Sequence, residues 1–130
     1  MYKRQVLVLE NTFESSPNIL LELTDSVESD SLGLCLDVAH AVVYSTLGLG
    51  SWWDAFEPRL RELHLNDTDG FSDEHLSLGK GNINFREVFG RAAGLKQDAV
   101  LVLEMPAAAA LESLSTIERE GYQETQLELL

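Results

Sequence analysis

The chain has 130 residues, 45% apolar and 24% charged, the size and balance of a single globular domain spanning 1–130. Its 22 acidic against 9 basic residues leave a net charge of −13, which argues against a function built on a basic nucleic-acid groove or an anionic membrane surface. The single cysteine, Cys35, excludes a disulfide framework, no apolar run reaches the length of a membrane span, and the run before Glu10 is too short for a signal-peptide core, so the expected compartment is the cytoplasm.

In chain order, Val6-Leu7-Val8-Leu9 is a short apolar run ending in Glu10, with the continuous apolar character of a parallel strand buried on both faces. Ser16-Pro17 predicts an N-cap followed by proline at the first helical position, with Ile19, Leu20, Leu23 and Val27 at helical spacing. Leu32 to Leu36 predicts a second strand, ending in Asp37; a helix starting there would put His40 one turn along, facing the same pocket. Ser51 precedes a predicted helix through Trp52, Trp53 and Phe56 that stops before Pro58, its tryptophans read as a packing face. Leu60 to Leu65 alternates and carries His64. Asn66 to Phe85, rich in Asp, Gly, Ser and Asn, reads as a long loop of the kind that is usually functional. Asn84 with Glu87 forms an Asx capping box for a helix ending at Gly94. Val100 to Leu103 is a fourth strand, ending in Glu104; Pro106 opens a last helix over Ala107 to Glu120, closed by Gly121. The order β-α-β-α-β-α-β-α implies a parallel sheet with helical crossovers.

Three of the four strand-like runs end at an acid and the fourth carries a histidine near its end. In parallel α/β folds the C-terminal strand ends face the ligand, so Glu10, Asp37, His64 and Glu104 are expected to converge. A lone acid at a strand end is ordinarily a solvated loop start. Three together repel unless neutralised, and a divalent cation such as Mn²⁺, Mg²⁺, Fe²⁺, Co²⁺ or Zn²⁺ suits carboxylates with one imidazole. Asp73 and His75 fall on one side of an extended chain, ahead of Gly79 and Gly81, which permit a tight turn or a close approach to a ligand. Cys35 reads as core, and Lys80 as a solvated loop lysine rather than a phosphate contact.

Glu10-Asn11, Leu36-Asp37-Val38-Ala39-His40, His64-Leu65-Asn66-Asp67, the run Asp73 to Ile83 and Leu103-Glu104 resemble, in register over about the whole chain, the xylose isomerase-like TIM barrels. That group includes sugar and sugar-phosphate isomerases and epimerases, and abasic-site nucleases of the endonuclease IV type. The resemblance implies one divalent ion held by Glu10, Asp37, His64 and Glu104, with Glu10 and Glu104 moving a proton through an enediolate of a sugar or sugar phosphate. It places His40, Asp73 and His75 near the substrate; in the nuclease branch Asp73 and His75 are zinc ligands. It covers the second four of the eight strands of a full barrel. That leaves three readings open: an isomerase or epimerase once the barrel is completed, a nuclease fragment, and a non-catalytic half-barrel. A (β/α)4 half exposes strand edges, so a homodimer or a complementing half-barrel is expected, with Leu7, Leu9, Leu34, Leu101 and Leu103 among the side chains left to fill the interior.

Overall fold

The computed structural model describes residues 5–122. Strands β1 (Leu7–Glu10), β2 (Leu32–Asp37), β3 (Leu60–Leu65) and β4 (Val100–Leu103) form one parallel sheet in the order β1-β2-β3-β4. Between and after them run helices α1 (Asn18–Ser26), α2 (Val38–Val43), α3 (Leu49–Phe56), α4 (Phe85–Ala93) and α5 (Ala107–Glu120), with a 3-10 turn at Glu57–Arg59. Consecutive parallel strands joined by helical crossovers make up part of a TIM barrel, as the sequence pattern predicts. Among the described residues no helix is long and apolar enough to cross a membrane.

Two helix starts differ from expectation. Ser16 caps nothing: Pro17 occupies the cap position, its carbonyl accepting the first helical bond from Leu21 N–H at 3.1 Å. α3 begins at Leu49, two residues ahead of Ser51, because Gly48 at φ 79° turns the chain into the helix without a capping side chain. Pro106 stands directly before α5, which spans Ala107–Glu120 as expected. The Asn84 side chain accepts from Glu87 N–H, and Gly121 closes α5 in the left-handed conformation, both as expected.

The leucines face the helices. Leu34, Leu36, Leu63, Leu65 and Leu101 are buried in one cluster with Trp52, Trp53, Phe56, Val88 and Phe89, and Leu9 and Leu103 pack against it. Each fully buried side chain of this kind contributes about 1.5–3 kcal/mol. The expected filling of the barrel interior by Leu7, Leu9, Leu34, Leu101 and Leu103 is therefore overturned: strand alternation turns these leucines outward, and Leu7 lines an open groove with Leu23 of α1 and Val27 just past its end. The same alternation gives the opposite, concave face to Glu10, Cys35, Asp37, Glu62, His64 and Glu104. Cys35 is free and buried, as expected, and alternation puts it on this face of the sheet. A register shift at Leu34/Cys35 sets Cys35 opposite Glu62, and Gly33 is required beside it, since a Cβ there would run into the Arg61 side chain.

Candidate metal centre

The ends of all four strands meet. One ligand atom from each of Glu10, Asp37, His64 and Glu104 falls within 4.8 Å of the others, a spacing that suits a shared cation. His64 Nδ1 lies 3.3 Å from Glu10 Oε1 and 3.0 Å from Glu104 Oε2. His64 Nδ1 and Glu104 Oε2 are nevertheless both buried with no hydrogen-bond partner, so they approach without forming a hydrogen bond. Two orphaned polar atoms pointing into one space fit a cation, the species that satisfies both.

Asp37 is fully buried and held from three sides. Its main chain is clasped by the Asn11 side chain, which donates to the Asp37 carbonyl at 3.0 Å and accepts its N–H at 2.8 Å, extending the β1–β2 ladder by one side-chain rung. Its Oδ1 accepts from His40 N–H at 2.9 Å, capping α2, and its Oδ2 accepts from Asn66 Nδ2 at 3.2 Å. Burial pushes the Asp37 carboxyl up to about 6, against the opposing pull of the His40 N–H. At His64 burial lowers the ring pKa, but the Glu62 hydrogen bond and the charges of Glu10 and Glu104 outweigh it and the net shift is upward.

His40, Asp73 and His75 form a second group beside the first. His40 Nδ1 donates to the Asn11 carbonyl at 2.8 Å and its Nε2 meets Asp73 Oδ2 at 3.0 Å. His75 Nδ1 donates to the Glu104 carbonyl at 2.7 Å and its Nε2 lies 3.3 Å from Asp73 Oδ1. The two groups touch where His40 Nδ1 comes within 3.5 Å of Glu10 Oε1. Both histidines are shifted upward: at His40 burial is overcome by Asp37, the Asn11 carbonyl and Asp73, and at His75 the Glu104 carbonyl leads. Lys80, 3.1 Å from Glu112, pairs on the loop surface away from both groups.

Sequence reasoning missed four residues. Asn11 and Asn66 appear in the motifs without a role, yet both bind Asp37. Glu62 Oε1 lies 2.8 Å from His64 Nε2; its position two residues before His64 on a strand, hence on the same face, is the signal that could have found it. Asp67 is buried beneath the loop, where its carboxylate accepts from Thr68, Gly79, Gly81 and Ile83 N–H at 2.9, 2.9, 2.9 and 3.1 Å.

Fold and site together define a class. The chain belongs to the xylose isomerase-like TIM barrel family, whose model matches residues 3–130. It is 33% identical over 96 residues to an uncharacterised protein of Methanocaldococcus jannaschii, covering 68% of this chain and 31% of that protein. Among solved structures it resembles the TTHB071 protein of Thermus thermophilus soaked with ZnCl2 (34% identity, TM-score 0.69, 87% of this chain and 43% of that one). It also resembles a D-tagatose 3-epimerase-like protein (28% identity, TM-score 0.77, 92% and 47%). The chain thus spans less than half the length of each of these relatives.

Proposed function

We propose that this chain supplies the metal-binding half of a sugar or sugar-phosphate isomerase or epimerase. The observation that carries the reading is the convergence of Glu10, Asp37, His64 and Glu104 with two orphaned buried atoms at its centre. These side chains would hold one divalent ion, Mn²⁺, Mg²⁺, Co²⁺ or Zn²⁺. When bound, such an ion polarises the adjacent carbonyl and hydroxyl oxygens of a hydroxy-ketone and so acidifies the C–H between them. Glu10 and Glu104 are the half-exposed carboxylates of the set, with side chains 29% and 42% accessible, and they flank the mouth where a substrate carbon would sit. One takes the proton and the other returns it. Asp37 and His64 are anchors, and the groups of His40, Asp73 and His75 meet substrate oxygens. Exchange of the substrate C–H for deuterium in D₂O, followed by NMR over a panel of ketoses and ketose phosphates, tests the reading: exchange should need added metal and vanish in Glu10→Gln and Glu104→Gln. Metal binding without exchange on any ketose would instead identify a non-catalytic half-barrel.

The meeting of His40, Asp73 and His75 favours a second reading, a zinc-dependent abasic-site nuclease centre, and the likeness to a zinc-soaked protein supports it. The charge of −13 opposes it. Chelator-sensitive incision of an abasic duplex by the homogeneous protein would reverse the ranking.

Either activity needs the barrel closed. Among the described residues the β1 edge is unpaired, and beside it the groove lined by Leu7, Leu9, Leu23, Val27 and Leu32 encloses about 630 Å³ of mostly apolar surroundings. A second copy or a complementing half-barrel is the proposed cover. Light scattering over a concentration series should show a dimer for the chain alone, and a cooperatively melting monomer at high concentration would rule self-closure out.

A further inference from the structure

We propose that Glu62 positions His64, fixing which ring nitrogen it presents to a cation; this rests on the metal reading above. His64 has carboxylates on both sides: Glu62 Oε1 2.8 Å from Nε2, and Glu10 and Glu104 at 3.3 and 3.0 Å from Nδ1. An imidazole so placed can carry its proton on either nitrogen. Only the Nε2 side forms a hydrogen bond; Nδ1 is the orphan. Glu62 precedes His64 by two residues on β3, so it stands on the same face, one step below the mouth, where β2 pairs it with the buried Cys35. It therefore holds the proton on the inner nitrogen and leaves the Nδ1 lone pair aimed at Glu10, Asp37 and Glu104. A carboxylate acceptor also makes the imidazole a more basic ligand than a main-chain carbonyl does. His40 and His75 are oriented the opposite way, Nδ1 on a carbonyl and Nε2 outward.

One competing assignment exists on the same residues. Cys35, Glu62 and His64 also offer ligand atoms within 4.8 Å of one another, a set suited to a thiophilic ion. Zn²⁺ titration calorimetry and ¹⁵N-histidine NMR of the zinc-loaded protein separate the two. Glu62→Leu should weaken Zn²⁺ binding about 10–100-fold and lose the protected His64 Nε2–H resonance to exchange with water. Glu62→Gln, which keeps an acceptor of the same shape without charge, should retain that resonance at a shifted position and weaken binding less. Cys35→Ala should leave both unchanged. Unaltered affinity and an unaltered resonance in Glu62→Leu would overturn the proposal; if that variant does not fold, the same two results in Glu62→Gln would do so. A loss in Cys35→Ala equal to that in Glu62→Leu would overturn it in favour of a second ion. His64→Ala is the separate control: if it binds Zn²⁺ like the unaltered chain, the metal reading itself fails and the positioning role with it.

Discussion

Two groups of side chains share the mouth of the sheet, and they are held by different means. Glu10, Asp37, His64 and Glu104 stand at or just past strand ends, so sheet register places them; Asp37 and His64 are paired residues on the two central strands. His40, Asp73 and His75 come from the first turn of α2 and from the loop after β3. That loop has no ladder apart from the Asp67–Leu76 bridge. Its shape depends on the buried Asp67 carboxylate, on Gly81, where a Cβ would strike the Thr68 carbonyl, and on docking to α5 through Leu78 N–H and the Ser113 hydroxyl at 3.0 Å. The strand-borne group is therefore fixed by sheet register, while Asp73 and His75 depend on how the loop is held, chiefly by the Asp67 carboxylate. The two should fail independently.

The largest expected effect falls on the first group. Asp37→Ala removes a proposed ligand, the cap of α2 and the acceptor of Asn66 together. Zn²⁺ or Mn²⁺ affinity by calorimetry should fall by more than the roughly 10–100-fold typical of losing an outer partner. His75→Ala should leave the affinity of this group close to that of the unaltered chain. Equal losses in the two variants would mean that the groups form one unit.

Asp67→Ala breaks the second group. It strips the acceptor from four main-chain N–H groups, each worth about 0.5–1.5 kcal/mol net, so a total near 3 kcal/mol and a fall in Tm of about 10 °C are expected. Gly81→Ala should act in the same direction by displacing the Thr68 carbonyl. A melt unchanged by both would show that the docking on α5, not the buried carboxylate, shapes the loop.

A smaller effect concerns pH. Asp37 is raised to about 6 by burial, and His40, His64 and His75 are all raised. Each group thus binds its proton more tightly folded than unfolded. The stability due to Asp37 is present below its unfolded value and is lost as pH rises through about 6. The histidine contributions persist to higher pH and are lost as it passes their raised values. Metal-free protein should therefore melt at progressively lower temperature from about pH 4 to above pH 7. A cation takes the place of those protons, so the rise in Tm on adding ZnCl2 should grow over the same range. A gain independent of pH would exclude Asp37 and His64 as ligands.

The sequence made the first group legible because parallel strands buried on both faces leave few polar residues, and those that remain mark the strand ends. Glu10, Asp37 and Glu104 each terminate an apolar run, so alternation and length were enough to bring them together. The interior was misjudged for the same reason: continuous apolar runs do not say which alternate residues face the helices, and Leu34 and Leu101 turned out to face outward. Asp67 was illegible as a clamp. Its partners are main-chain N–H groups up to sixteen residues away, and no side-chain pattern encodes them.

The smallest effect is expected at His75, the one non-glycine residue with positive φ among the described residues, at 52°. A histidine held in the left-handed region costs on the order of 1 kcal/mol, and asparagine adopts that region more readily. The surroundings must supply a reason for the strain, and two are visible: Nδ1 donates to the Glu104 carbonyl at 2.7 Å, and Nε2 reaches Asp73 at 3.3 Å. The first ties the loop to the end of β4, beside a ligand of the strand-borne group; the second completes the loop-borne group. His75→Asn should relieve strain while losing the Glu104 bond, itself worth about 0.5–1.5 kcal/mol net, so the two changes nearly cancel and Tm should move by only a few degrees. Function should not cancel. With the imidazole gone, Asp73 keeps His40 as its only imidazole partner, and any ion or substrate oxygen held between Asp73 and His75 loses one of its two contacts. Substrate affinity should therefore drop in a protein whose melt is nearly unchanged. If His75→Asn instead lowers Tm as far as Asp67→Ala does, His75 is a structural tie of the loop, and the strain at this position serves the fold rather than the site.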